Sequence, residues 1–169
     1  YNTSEGRDAS VVHVENDVYA MAYSGPSQDG HIQTFKMSKD GKTIQKIKEI
    51  EHNTNFADMH EMIRHNENIF LVVFRDGNND GWLKTFAISA DGSTITQVAK
   101  LEYNTAYGYW PSIKRVDHDT YLLAYAYGGS YGYLQTFDIS ADGKTITKIK
   151  SYRHDNNWMG YNLSLIHIS

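Results

Sequence analysis

The sequence lacks cysteine altogether, and it has neither a long apolar run nor a strong excess of one charge. Without cysteine, a disulfide framework and a cysteine-ligated zinc site are excluded. The net charge is -4 and the pI is about 6.0, which argues against a nucleic-acid-binding surface, because such surfaces are basic. Charged residues make up 21% of the chain and the mean hydropathy is -0.56, so no membrane-spanning segment is predicted.

The chain of 169 residues has the length of one ordinary domain, and its dominant feature is an internal repeat. Three copies with a period of 51 residues follow one another without insertion or deletion. The recurring residues are Gly30, Gly81 and Gly132; Thr34, Thr85 and Thr136; Phe35, Phe86 and Phe137; and Asp40, Asp91 and Asp142, each followed by glycine. Because phenylalanine is retained in all three copies, these three rings are predicted to be core residues.

Each copy is predicted to form four short strands. They are residues 11–14, 18–23, 32–37 and 45–50, then 62–65, 69–74, 83–88 and 97–101, then 113–116, 121–125, 134–139 and 148–152. The second strand is a nearly continuous apolar and aromatic run, which is typical of a strand buried on both faces. Ser-x-Asp-Gly joins the third strand to the fourth and predicts a hairpin, because glycine accepts a positive φ and aspartate caps its own turn.

The fourth strand carries lysines, which mark a protected outer edge of a sheet; they are Lys46, Lys48, Lys100, Lys148 and Lys150. The buried strands are therefore expected on the inner side. A four-stranded antiparallel sheet repeated every 51 residues predicts an all-β fold, a β-propeller fragment. We expect three blades at about 9–53, 60–104 and 111–155 and the start of a fourth, so that residues 1–162 form a partial propeller.

Three blades do not close a ring, because propellers need about four or more. We therefore expect further blades of the same chain, or a second copy that completes a six-bladed ring, to pack on the open faces. The segment 163–169 (LSLIHIS) resembles a translated sequencing adapter and is expected to be a non-native tail. The alternative is a genuine inner strand of a fourth blade.

Three segments of the third copy carry a family likeness: Tyr121-Leu-Leu-Ala-Tyr125, Gly132-Tyr-Leu-Gln-Thr-Phe137 and Ser140-Ala-Asp-Gly-Lys-Thr-Ile146. They resemble tandem blades of large, uncharacterised bacterial and metagenomic propeller proteins. More distantly, they are similar to lactonase-type and surface-layer propeller repeats. The resemblance implies the propeller architecture and no particular activity. A sialidase Asp-box has Ser-x-Asp-x-Gly at this hairpin, whereas Asp and Gly are adjacent here, which argues against sialidase chemistry.

One segment, Asp76-Gly-Asn78-Asn-Asp80-Gly81, fits the start of a calcium loop, in which oxygens at alternate positions converge on one cation. Asp76, Asn78 and Asp80 are therefore candidate ligands for calcium, although no cofactor is expected for the chain. The alternative is a polar hairpin between the second and third strands. The equivalent segments 25–30 and 127–132 lack these acids, and Ala87 stands where a calcium loop has glutamate, so the hairpin is favoured.

The histidines predict packing more than metal binding. His52 and His154 alternate with Tyr103 at equivalent positions, which indicates a packing or hydrogen-bonding role between blades. His60 and His65 occur in one copy only. They could form a zinc pair, but surface polar residues are the favoured interpretation.

The loops before each first strand are the candidate binding region, because loops at the same offset lie on one face of a propeller. Aromatic rings can stack on sugar C–H faces while amides and carboxylates bind hydroxyl groups. The candidate ligand-binding residues are Tyr107, Tyr109, Trp110, Trp158, Asn53, Asn104 and Asp155. Since the last three recur in the repeat, a role in holding the loop is favoured for them. Packing between blades is the alternative for the aromatics.

Two functions follow from this pattern. The first is a non-catalytic binding or adhesion propeller, with a carbohydrate or another surface polymer as ligand, in a larger secreted or cell-surface protein. Its basis is repetition without a unique nucleophile or acid/base pair, so no catalytic residue is assigned. The alternative is a fragment of a propeller enzyme, lactonase-like or glycoside-processing, whose catalytic residues lie outside these blades.

Overall fold

The computed structural model describes residues 6–128 and 131–155. The predicted tail at 163–169, the start of a fourth blade and Trp158 lie outside these residues. The described elements are β1 (Arg7–Glu15), β2 (Val18–Ser24), a 3-10 turn (Pro26–Gln28), β3 (Asp29–Met37), β4 (Ile44–Arg64), β5 (Ile69–Asp76), β6 (Gly81–Ile88), β7 (Ile95–Asn104), β8 (Tyr109–Arg115), β9 (Thr120–Tyr127), β10 (Tyr131–Ile139) and β11 (Ile146–Asp155). Among them no helix has the length and apolar character needed to cross a membrane.

The strands form antiparallel sheets in chain order. One sheet has the order β1-β2-β3-β4-β5-β6-β7, and the other has the order β11-β10-β9-β8. Strand β4 serves twice, because its first part pairs with β3 and residues 57–64 pair with β5. The result is three four-stranded blades: blade 1 (β1–β3 and the start of β4), blade 2 (the end of β4 and β5–β7) and blade 3 (β8–β11). The propeller-fragment prediction is confirmed.

The segment 53–60, which was predicted to be a loop, is part of the continuous strand β4. Its backbone changes partner there without leaving the extended conformation, and no glycine or proline interrupts it. The equivalent segment of the third copy contains Gly108 and is a true loop between β7 and β8. Local sequence at this junction therefore decides whether two blades share a strand.

Two apolar cores lie between neighbouring blades, and β5 contributes to both. Phe70, Val72 and Phe74 pack with strands of blade 1, whereas Leu71 and Val73 pack with blade 3. This alternation is the period of two of a β-strand that is covered on both sides. We call the side of a blade that faces the preceding blade its front face, and the side that faces the following blade its back face.

A repeated hydrogen bond links the back face of one blade to the hairpin of the next. The hydroxyl of Thr34 donates to the carbonyl oxygen of Gly92, and that of Thr85 donates to the carbonyl oxygen of Gly143, both at 2.7 Å. A Cβ atom added to either glycine would press on side chains of the preceding blade. The recurring threonine of Thr-Phe is thus the donor, and the recurring glycine of Asp-Gly the acceptor, of one hydrogen bond between neighbouring blades.

Replacing Thr85 by Val should lower the free energy of unfolding by about 1–3 kcal/mol, because it leaves the buried carbonyl of Gly143 without its donor. The substitution also removes the acceptor for the backbone N–H of Ala99. Thr136→Val is the matched control, since Thr136 is the same repeat position on the back face of blade 3 and is only half-buried. Urea unfolding measures both variants in a Val11→Arg background, which places a charge on the exposed front face of blade 1 and keeps a second copy off it; equal losses would contradict the inter-blade role.

The hairpins confirm the Asp-Gly signal. Gly41, Gly92 and Gly143 have φ of 70°, 72° and 71°. In each hairpin the aspartate accepts hydrogen bonds from the serine hydroxyl two residues before it and from the backbone N–H two residues after it. These bonds lower the pKa of Asp91 and Asp142 to about 2.

The expected order of burial is correct in part. The lysine-bearing strand β11 is largely exposed, but the most buried strands, such as β5, lie inside the sheet rather than at its inner edge. The inner edge is the first strand, as its bonds to neighbouring blades show: the side chains of Ser10 and Glu61 accept from the backbone N–H groups of Met62 and Ile113. Burial on both faces marks β5 because its blade has a neighbouring blade on each side.

The core prediction holds for two of the three repeated phenylalanines. Phe86 and Phe137 are 0% exposed, and each fills the core on the front face of its blade. Phe35 is only half-buried and stacks on Tyr19 of its own blade, with 5.8 Å between ring centroids. The prediction for Phe35 is wrong in this chain because no described blade covers the front face of blade 1.

Candidate functional site

Each first strand begins with a β-bulge at the same repeat position. Asp8, Met59 and Trp110 have φ of 51°, 56° and 47°, and the pairing register shifts beside each of them. Non-glycine residues in this left-handed region carry strain, which persists only where surrounding structure imposes it. A bulge changes the direction in which nearby side chains point. The three bulges lie at the same end of their blades, and we call this end of the propeller fragment the loop face.

The sequence-predicted aromatics of blade 3 come together on the loop face. Ring centroids are 6.1 Å apart for the stacked pair Tyr107 and Tyr109, and 5.3 Å apart for Tyr109 and Trp110. Tyr127 packs edge-on against Tyr107 at 5.1 Å. Tyr107 is 39% exposed. We call Tyr107, Tyr109 and Trp110 the aromatic platform.

Arg75 of blade 2 holds the aromatic platform in place through its contact with Tyr109. Its guanidinium lies 4.6 Å from the ring centroid of Tyr109 and 5.1 Å from that of Phe56. The same group makes two hydrogen bonds to the Asp58 carboxylate, at 2.8 and 2.5 Å. Asn79 Oδ1 accepts from both Arg75 and the Tyr109 hydroxyl, each at 3.0 Å. Tyr109 is therefore held rigidly, which lowers the entropy cost of binding a ligand.

Sequence reasoning did not find the Arg75–Asp58 pair. The two residues lie on neighbouring strands at paired positions, and each occurs in a single copy of the repeat. Burial raises the pKa of the Asp58 carboxyl, and the guanidinium of Arg75 opposes this shift. The pair acts as a brace under the platform, since both partners are largely buried.

Asn104 holds the loop between β7 and β8, as favoured from the repeat, whereas Asn53 lies in the continuous strand β4 and holds no loop. Asn104 Oδ1 accepts from the backbone N–H groups of Ala106 and Tyr107 at 2.9 and 2.7 Å. Asn53 donates to the carbonyl oxygen of Phe56 at 3.3 Å and accepts from Lys84 Nζ at 3.3 Å. Their role in contacting a ligand stays a prediction. The side chain of Asp155 and all of Trp158 fall outside the described part of the chain.

The candidate calcium ligands form a closed turn. Asp76 Oδ1 accepts from the backbone N–H groups of Asn78 and Asp80 at 2.9 and 3.0 Å, and its Oδ2 accepts from Trp82 Nε1 at 2.9 Å. Among the described residues no group of three or more His, Asp or Glu side chains is placed to hold a metal ion. These hydrogen bonds are those of the favoured polar hairpin, and calcium binding by Asp76, Asn78 and Asp80 stays a prediction.

His60 and His65 are not surface residues, so the favoured interpretation of them is wrong. They are 7% and 1% exposed. They do not face each other either: His65 Nδ1 lies 2.7 Å from the Tyr121 hydroxyl, whereas His60 Nε2 lies 3.2 Å from His52 Nε2. Because these two histidines occur in only one copy of the repeat, no recurring pattern in the sequence predicted their burial.

The predicted packing role of His52 is confirmed. Its ring covers Gly30, as the rings of Tyr103 and His154 cover Gly81 and Gly132, and each ring leaves no room for a Cβ atom. This contact explains why the glycine recurs in every copy. Burial lowers the pKa of His52 well below its usual range, with further lowering by His60 and the ammonium group of Lys84.

No family model matches the chain, and no curated protein matches it in sequence. Solved structures of similar shape are β-propeller proteins. The Pseudomonas aeruginosa periplasmic gluconolactonase PpgL superposes with a TM-score of 0.64 at 10% identity, over 88% of this chain and 40% of that one. Saccharomyces cerevisiae Sqt1 gives 0.61 at 7% identity, over 94% and 38%. A variant of the NanB sialidase from Streptococcus pneumoniae gives 0.59 at 17% identity, over 89% and 23%.

At these identities the likeness shows the fold alone. The chain spans about two fifths or less of the length of each of these structures. They include enzymes as well as Sqt1, which has also been solved, from Chaetomium thermophilum, bound to the N-terminus of the ribosomal protein L10. Because one fold carries several functions, function has to be argued from the residues of this chain.

Proposed function

We propose that the chain is a binding or adhesion module whose ligand is a carbohydrate or another polyhydroxylated surface polymer. The observation that carries the proposal is the aromatic platform, which combines an exposed ring, Tyr107, with a ring braced by Arg75. Aromatic side chains offer large contact area at low entropy cost and dominate binding energy where they occur at interfaces. An extracellular or cell-surface location in a larger protein fits such a ligand.

The contacts of two acidic residues of blade 2, Asp58 and Glu61, support binding over catalysis. Asp58 is engaged by Arg75, and Glu61 accepts from the backbone N–H of Ile113 and from Lys114. The Glu61 carboxylate thus links blade 2 to blade 3, and the Asp58 carboxylate orients Arg75 within blade 2. The second candidate, a lactonase-like or glycoside-processing enzyme with catalytic residues elsewhere, rests on the fold likeness to the gluconolactonase and to the NanB sialidase alone.

Trp110→Ala and Tyr107→Ala should each weaken binding to a polysaccharide or glycan-array hit of the parent chain by about tenfold or more, the effect of one binding hot spot. Tyr107→Phe is the matched control, because it keeps the stacking ring and removes only the hydroxyl. Circular dichroism checks that each variant is folded. Absence of any glycan bound by the parent, or binding that both alanine variants leave unchanged, would remove the platform from this function.

A further inference from the structure

Five large apolar side chains are exposed on the two blade faces that have no described neighbour. Val11 and Ile44 lie on the front face of blade 1; Val116, Ile149 and Tyr152 lie on the back face of blade 3. Their exposed fractions range from 54% to 68%. A sixth exposed apolar residue of the described chain, Tyr107, belongs to the aromatic platform. The exposed apolar surface is thus concentrated on two faces.

The repeat shows what these side chains do when a blade is present. Ile95, the equivalent of Ile44, lies in the core between blades 1 and 2, and so does Met62, the equivalent of Val11. Ile47 and Ile50, the equivalents of Ile149 and Tyr152, pack against the same core. The front of blade 1 and the back of blade 3 therefore carry the two halves of an interface that already occurs twice within the chain.

The inter-blade hydrogen bond is divided in the same way. Thr136, the donor half, is only half-buried on the back face of blade 3, whereas Thr34 and Thr85 are 0% exposed. Gly41, the acceptor half, heads the hairpin of blade 1, and a Cβ atom placed on it would meet no described atom within 4 Å. At Gly92 and Gly143, by contrast, side chains of the preceding blade fill this space.

We propose that these two faces bind each other between two copies of the chain, so that two chains close a six-bladed ring. The front face of blade 1 in one copy covers the back face of blade 3 in the other, and Thr136 donates to the carbonyl oxygen of Gly41 of the other copy. Six blades lie within the range of about four to eight found in propellers. The contact is head-to-tail, and it closes because it is made twice.

Sedimentation equilibrium of the full chain tests the proposal, with an expected mass of twice 19.3 kDa. Val11→Arg and Ile149→Arg should each shift the mass to that of one chain, since both positions are exposed within a single copy and the substitution buries a charge only in the ring. Thr96→Arg is the matched control: Thr96 is exposed on β7 of the middle blade, away from both faces, and this variant should associate like the parent.

Mixing the two arginine variants distinguishes the head-to-tail contact from other dimers. The Val11→Arg variant keeps an intact back face of blade 3, and the Ile149→Arg variant keeps an intact front face of blade 1. These two intact faces can bind each other, so the mixture should form a 1:1 pair although each variant alone sediments as one chain. A parent that sediments as one chain up to its solubility limit overturns the proposal, as do assemblies larger than two chains. Persistence of the dimer in either variant alone would indicate a symmetric contact instead and would equally overturn it.

Discussion

Replacing Phe86 by Ala is expected to lower the free energy of unfolding by about 3–5 kcal/mol, the usual loss when a large aromatic side chain leaves a closed core. Phe86 is fully buried between blades 1 and 2. Its ring also lies edge-on to His52, with 5.9 Å between centroids. Little can collapse into the space it would leave, because strands of two blades define it.

Phe35→Ala is the control for this experiment, because it removes the same side chain at the equivalent repeat position. Phe35 is half-buried on the open front face of blade 1, so its loss should be less than half that of Phe86. Both variants are best measured by urea unfolding in the Val11→Arg background, which is expected to be monomeric. Equal losses would show that Phe35 is covered in the single chain after all.

Acidification from pH 7 to pH 5 should destabilise the chain by about 2 kcal/mol through His60 alone. Burial lowers the pKa of His60 to about 3, with Lys84 and His31 adding to the shift. In the unfolded chain a histidine has a pKa of about 6.5. The folded state therefore binds the proton more weakly, so its stability is complete above about pH 6.5 and is lost as the pH falls towards 3.

His60→Ala should reduce this pH dependence by the share that His60 contributes, about 2 kcal/mol between pH 7 and pH 5, while His52 and His65, whose pKa values burial also lowers, keep theirs. Alanine occupies the equivalent position in the first copy, at Ala9, so the backbone there accepts it. His13→Gln, at an exposed histidine, is the control and should leave the slope between pH 5 and 7 unchanged. The hairpin carboxylates of Asp91 and Asp142, with pKa about 2, titrate below this window. A parent whose stability is flat from pH 7 to 5 would contradict a neutral, buried His60.

Most of the architecture could be predicted because three copies report the same contacts. The Asp-Gly hairpins, the Thr-Phe strand and the glycine beneath His52 each recur, so their structural role stands out from the variable positions. The number of strands and their antiparallel order followed from turn chemistry and from alternation. What the repeat could not convey was which copies have a neighbour, and for that reason Phe35 was assigned the burial of Phe86.

The site was predictable in its aromatic members and not in what holds them. Tyr107, Tyr109 and Trp110 stood out because three large rings follow one another in a variable loop. Arg75 and Asp58 are ordinary charges in the sequence, and only the pairing of β4 with β5 brings them under Tyr109. The burial of His60 likewise depends on its contacts with β4 and β5. These contacts could not be predicted from the sequence, because His60 occurs in one copy of the repeat only.

The strand that runs through two blades has a consequence for how the chain opens. Blades 1 and 2 share one seven-stranded sheet through β4, whereas blade 3 is a separate four-stranded sheet joined by the loop before Tyr109. Native proteins open in cooperative units that follow such boundaries. Detaching blade 3 exposes the core between blades 2 and 3 and leaves every backbone hydrogen-bond ladder of the seven-stranded sheet intact. Separating blade 1 from blade 2 would in addition disrupt β4, the strand that both blades share. Blade 3 is therefore the part of the chain that can swing away as a unit, and it takes Tyr107, Tyr109 and Trp110 with it, away from the Arg75 that positions them.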